Sequence, residues 1–153
     1  MRRLATTIAS GFGSGYCPWA PGTAGSLVAL IVGIGLLMGP AWSLPLAILL
    51  AIGLGLWAIG RAGGADDPGW VVIDEFAGQW IAMLPLLLAG QRSALGSLLA
   101  FGLFRLFDIV KPGPVGWADR QPGPFGVMAD DVIAGGMAAA LLWGAIRIWP
   151  GVF

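Results

Sequence analysis

The sequence predicts an all-α integral membrane protein, a bundle of about five hydrophobic helices with an acidic site on its cytoplasmic face. Three observations carry this. Hydrophobic residues make up 58% of the 153 positions and charged residues only 10%, with a mean hydropathy of +0.86; a soluble domain carries about a quarter charged residues. The hydrophobic residues fall into five runs separated by glycine, proline and charge. The charge itself is concentrated: residues 104–136 hold Asp108, Asp119, Asp130 and Asp131, half of the eight acidic residues, together with Arg105, Arg120 and the lone lysine, Lys111. A net charge of zero excludes a general basic surface for nucleic acid. Cys17 is the single cysteine and cannot form an internal disulfide. With no internal repeat or linker, residues 1–153 read as one membrane-embedded domain.

Taken in order, residues 2–16 are mildly amphipathic and suit a membrane surface. Arg2 and Arg3 resemble the start of a leader, but residues 4–10 are too short and too polar for its apolar core. Pro18, Pro21 and Gly22 break the next segment; Thr23 then caps a helix expected from Ala24 to about Gly39, ended by Pro40. A second run covers residues 44–60, and a polar loop follows at 61–70. Asp74 and Glu75 open a third run that continues to Gly90. The fourth, 94–107, is the weakest because of Ser97 and its glycines. After the charged stretch 108–131, a last helix is expected from Val132 to about Trp149. These runs fall slightly short of the roughly 20 residues that cross a bilayer upright. Their abundant glycine and alanine let membrane helices approach closely.

If all five runs cross, the N-terminus, residues 61–75 and residues 108–131 share one side. That side carries every acidic residue and Arg2, Arg3, Arg61, Lys111 and Arg120, leaving Arg92 and Arg147 for the other. The positive-inside rule makes the crowded face cytoplasmic.

On that face, Asp74, Glu75, Asp130 and Asp131 at helix starts can serve merely as caps that suit the helix dipole. Asp108 at a helix C-terminus opposes the dipole, and Arg105, three residues earlier, can neutralise it. Carboxylates gathered near a bilayer nonetheless repel one another, each costing about 2.5–3.5 kcal/mol at membrane depth without a partner. A divalent cation removes that cost. Without histidine, zinc is a poor candidate; an oxygen-donor site open to phosphate fits magnesium. Asp74, Glu75, Asp130 and Asp131 are the expected metal ligands, and either Asp108 or Asp131 is the group expected to take a proton from an attacking water. Arg105 and Lys111 can hold a phosphate. The turn PGTAGS, residues 21–26, adds helix-start amides and the hydroxyls of Thr23 and Ser26.

Residue types exclude other phosphate chemistries. There is no histidine for a phosphohistidine, and Thr23 stands six residues after Cys17 where a cysteine-nucleophile loop needs arginine. Neither the Asp-x-Asp-x-Thr motif nor a Gly-x4-Gly-Lys-Ser/Thr loop occurs.

The segments PGTAGS (21–26), DDP (66–68), IDEFAGQW (73–80), FRLFDIVKPGPVGWADR (104–120) and GVMADDVIAG (126–135) resemble, in order, the bacterial phosphatidylglycerophosphatase A family. The resemblance implies a multi-pass enzyme of the bacterial inner membrane. Its reaction would be magnesium-dependent removal of the terminal phosphate of phosphatidylglycerophosphate to give phosphatidylglycerol, with membrane lipid around it and no required protein partner. It marks Asp74, Glu75, Arg105, Asp108, Lys111, Asp130 and Asp131 as the site. One departure stands out: the family's Gly-Gly-x-Gly is here Gly123, Pro124, Phe125, Gly126, and proline lacks an amide donor. A small cation channel or transporter with an acidic vestibule is the alternative. It expects ionisable residues along its path, and the run interiors are almost free of them. A lipid phosphotransferase would need a repeated Asp-rich motif that is absent.

Overall fold

Glycine, proline and serine set the helix boundaries in this computed structural model, which describes residues 1–149 and 151–153. Among the described residues there are seven α-helices, one 3₁₀ turn and no strand. Helix α1 (Arg2–Ala9) leads into the 3₁₀ turn Ser14–Tyr16. Helix α2 (Pro21–Met38) starts earlier than expected, because Pro21 in its first turn is already set for helical φ. Ala20 rather than Thr23 is its N-cap. Helix α3 spans Ser43–Ala62 and ends on Gly63 in the left-handed region. Helix α4 spans Ile73–Leu88, with Asp74 and Glu75 in its first turn. Helix α5 (Ala94–Val110) is capped by Ser93, whose side chain accepts from the Gly96 amide at 3.1 Å.

The charged stretch is more helical than expected. It contains a short helix α6 (Gly113–Asp119), and α7 begins at Gly123 and runs to Ile148, nine residues before the expected Val132. The same rule explains the difference: Pro124 falls in the first turn, where a missing amide hydrogen costs nothing. Asp130 and Asp131 therefore lie inside α7, so capping does not explain them.

Three helices, α2, α3 and α7, are long and apolar enough to cross a membrane. Helix α4 (16 residues) stops two residues before the expected Gly90 and α5 (17 residues) runs three past the expected Phe107; both fall short of the roughly 20 residues of an upright span. Twelve residues of α4 are buried, including Phe76, Ala82, Met83 and Leu86, which makes it the central helix. Its Trp80 indole donates to the Ala29 carbonyl of α2 at 2.8 Å.

Helices α4 and α7 meet backbone to backbone. A methyl group on Gly78 would lie 2.7 Å from the Asp131 carbonyl oxygen, and one on Gly135 would run into the backbone of Gly78. Small residues permit such crossings. Gly78 follows Glu75 by three positions and Gly135 follows Asp131 by four, so this crossing aligns the two acidic pairs. The N-terminal segment lies at the same end: the Val72 amide donates to the Ala9 carbonyl at 2.9 Å, and Tyr16 stacks on Trp70.

Candidate metal and phosphate site

Three helices contribute one carboxylate each to a common point. Glu75 from the first turn of α4, Asp108 from the last turn of α5 and Asp131 from α7 place carboxylate oxygens within 4.8 Å of one another. Glu75 and Asp131 are buried. The Arg105 guanidinium joins two of them, with Nη1 at 2.5 Å from Glu75 Oε2 and 2.8 Å from Asp108 Oδ2. Ser26 of α2 donates its hydroxyl to Glu75 Oε2 at 2.5 Å and accepts from Arg105 Nη1 at 3.2 Å. The backbone of α2 comes equally close, since a methyl on Gly22 would collide with Glu75 Oε1. No ion pair forms on Asp131 among the described residues.

The remaining predicted residues divide differently. Asp130 is adjacent to Asp131, and successive helical residues point about 100° apart. It faces away from the triad and pairs with Lys111, whose Nζ lies 2.8 Å from Asp130 Oδ2 and also binds Asp119. Lys111 caps α5 in the left-handed region at φ 49°. Its partial burial disfavours its charge, but the hydrogen bonds it donates to Asp119 and Asp130 outweigh that and hold its pKa above the ordinary lysine value. Asp74 is buried beside the triad, its Oδ1 accepting from the Glu75 amide at 3.1 Å. Thr23 sits in the first turn of α2, one turn before Ser26. A cleft of about 250 Å³ opens beside Asp130, lined by Asp66, Asp67, Asp119 and Gln121. Seven of the nine predicted side chains thus form two charge clusters, Ser26–Glu75–Arg105–Asp108–Asp131 and Lys111–Asp130.

Two residues near the site escape a reading of residue types: Gly22, visible only by its distance from Glu75, and Gln79, a lone amide inside an apolar run one helical turn from Glu75. Both Gln79 side-chain atoms are buried without a hydrogen-bond partner among the described residues.

The donor set fits a hard divalent cation. Three carboxylates against one guanidinium leave an excess of negative charge, all donors are oxygen, and neither histidine nor Cys17 takes part.

Comparison with known proteins bears on the chemistry. A family model described as phosphatidylglycerophosphatase A matches residues 7–146. A protein of Escherichia coli named phosphatidylglycerophosphatase A is 36% identical over 94% of this chain and 84% of its own. One of Haemophilus influenzae with the same name is 39% identical over 93% and 88%. A protein of Bacteroides thetaiotaomicron, provisionally named as a phosphatidylinositol-3-phosphatase, is 39% identical over 95% and 94%. No solved structure matches at a significant level.

Proposed function

The chain belongs to the phosphatidylglycerophosphatase A family, and from that membership we propose that it hydrolyses the terminal phosphomonoester of phosphatidylglycerophosphate, giving phosphatidylglycerol and inorganic phosphate. We read residues 1–153 as one membrane-embedded domain. The observation that carries the mechanism is the meeting of Glu75, Asp108 and Asp131 at the charged end of the bundle.

These three carboxylates would hold Mg²⁺, with Asp74 and Asp130 adjusting the charge around them. When bound, Mg²⁺ supplies Lewis-acid polarisation of the phosphoryl group and lowers the pKa of a coordinated water. Arg105 offers the phosphate a guanidinium whose Nη1 is already shared between Glu75 and Asp108. Lys111 adds a second cation by releasing Asp130 or Asp119. Asp131, without an ion pair among the described residues, is the better placed of the two predicted bases to accept the proton of the attacking water. The water oxygen bonds to phosphorus and keeps one proton, the bond from phosphorus to the glycerol oxygen breaks, and that oxygen takes the proton that Asp131 had accepted. Ser26 orients Glu75 and Arg105 together.

The site lies at the bundle end that also carries Arg2, Arg3, Arg61 and Arg120. By the positive-inside rule we read this end as facing the cytoplasm from the bacterial inner membrane, where a head group would lie with its acyl chains in the bilayer.

Purified protein in detergent tests this reading. Phosphate release from phosphatidylglycerophosphate should require Mg²⁺, stop on chelation and return on Mg²⁺ readdition. Phosphatidylinositol 3-phosphate run alongside decides the head group, because one relative carries that substrate in its name. Turnover unaffected by chelator would remove the metal from the mechanism. Preferential turnover of the inositol lipid would replace the substrate.

A further inference from the structure

Gln79 is the one fully buried side chain whose polar atoms all lack a hydrogen-bond partner among the described residues. Burying an amide without a hydrogen-bond partner is unfavourable. An apolar residue of the same shape would avoid that cost, so the amide requires a reason.

Its place in the fold supplies one. Gln79 follows Glu75 by four residues and precedes Met83 by four, so the three form one row along α4. Both neighbours on that row face α2: Glu75 meets Ser26, and Met83 lies against Gly33. The adjacent Gly78 lies against Phe104 of α5. Gln79 therefore enters the seam between α2, α4 and α5, one turn or about 6 Å beneath Glu75. In the same seam Arg105 commits Nη1 to Ser26, Glu75 and Asp108, while its buried Nε has no partner.

We propose that Gln79 is a positioning residue for Arg105, its amide holding through a buried water the guanidinium Nε that the carboxylates leave free. A buried water needs two or more polar partners; the Gln79 carbonyl and amino groups and the Arg105 Nε provide them. Tethered on that side, the guanidinium keeps one orientation while phosphate competes with Glu75 and Asp108 for its other nitrogens. This rests on the phosphatase reading above.

The experiment compares Gln79→Met and Gln79→Leu with the wild type, each also in an Arg105→Lys background that keeps the charge and deletes Nε. Both single variants should melt at or above the wild-type temperature. Their kcat on phosphatidylglycerophosphate should fall on the order of tenfold with KM changed less, the cost of a misplaced group. The melting shift produced by vanadate, a phosphate analogue, should shrink in parallel. In the Arg105→Lys background neither substitution should lower kcat or the vanadate shift further. Full kcat in the single variants, equal losses in both backgrounds, or failure of both apolar variants to fold would each overturn the inference. A wild-type chain that releases no phosphate strikes the proposed function instead, and the vanadate arm still decides the role of Gln79.

Discussion

Glu75 of α4 and Arg105 of α5 meet at 2.5 Å beneath the mouth of the acidic site. Each side chain is mostly shielded from solvent, so neither charge is tolerable alone. Removing one partner of a buried pair costs about 3–5 kcal/mol, because the other is left uncompensated. Arg105→Leu should therefore lower stability by roughly that amount, and Glu75→Gln added to it should restore part of the loss. Thermal melts in detergent read both. An Arg105→Leu protein as stable as the wild type would show that the carboxylates are neutralised by something else.

Asp131→Asn deletes one negative charge from a crowded site with almost no change of shape. Stability should hold or rise, while phosphate release falls by about 10²-fold or more, the scale of a lost general base. Asp108→Asn should behave differently. It removes a partner of Arg105 at 2.8 Å, so stability as well as turnover should drop. Equal melting temperatures for the two variants would contradict the division of roles drawn from the ion pairs.

Gly135→Ala inserts a methyl group where the α7 backbone touches Gly78. Overpacking of this kind costs about 1–3 kcal/mol. Because the two helices must separate, Asp131 moves away from Glu75, and activity should fall further than the stability loss explains. Gly136→Ala, which meets nothing within 4 Å, should change neither stability nor turnover. Assaying both below their melting temperatures separates position from global unfolding.

Lys111→Met should leave Asp130 buried beside no cation, at a cost of about 1–3 kcal/mol. The pH dependence has a definite sign. The Lys111 pKa is raised on folding, so its contribution is fully present below the ordinary lysine value and is lost as pH rises through the folded one. Across neutral pH the wild type should gain a constant amount from it. The variant should recover stability as pH falls and Asp130 takes up a proton. Melting curves from mildly acidic to mildly alkaline buffer should show the gap widening with pH.

Ser93→Ala removes the cap of α5 at the end opposite the carboxylates. It should cost about 1 kcal/mol with turnover intact at moderate temperature. Lost activity in that variant would mean that the whole length of α5 positions Asp108.

The all-helical character was readable because long stretches without charge can hardly be anything but helices buried in lipid or in protein; among the described residues there are seven helices rather than about five, three of them long and apolar enough to cross a membrane. Asp74 and Glu75 do open α4, as their place before a run suggests. The start of α7 was not readable in the same way: Gly123 and Pro124 look like a turn until the first helical turn is allowed to contain the proline. Once α7 begins there, Asp130 and Asp131 change from helix caps to residues on two faces. Their identity says nothing about which one meets Glu75 and which one meets Lys111; the angle between neighbouring residues and the crossing of α4 over α7 decide that. Gln79 did leave a trace, a single amide among hydrophobic residues, yet the sequence carries no sign that its partner atoms are missing. The helix lengths mislead in the opposite direction. Helix α4 needs no full bilayer span when its neighbours enclose it.

The crossing of Gly78 over Gly135 has a broader consequence. Since main chain rests on main chain at that point, the gap across the acidic centre is set by atoms identical in every amino acid. Lipid-facing side chains can be exchanged, and membranes of different composition tolerated, without altering the width available to an incoming phosphate group.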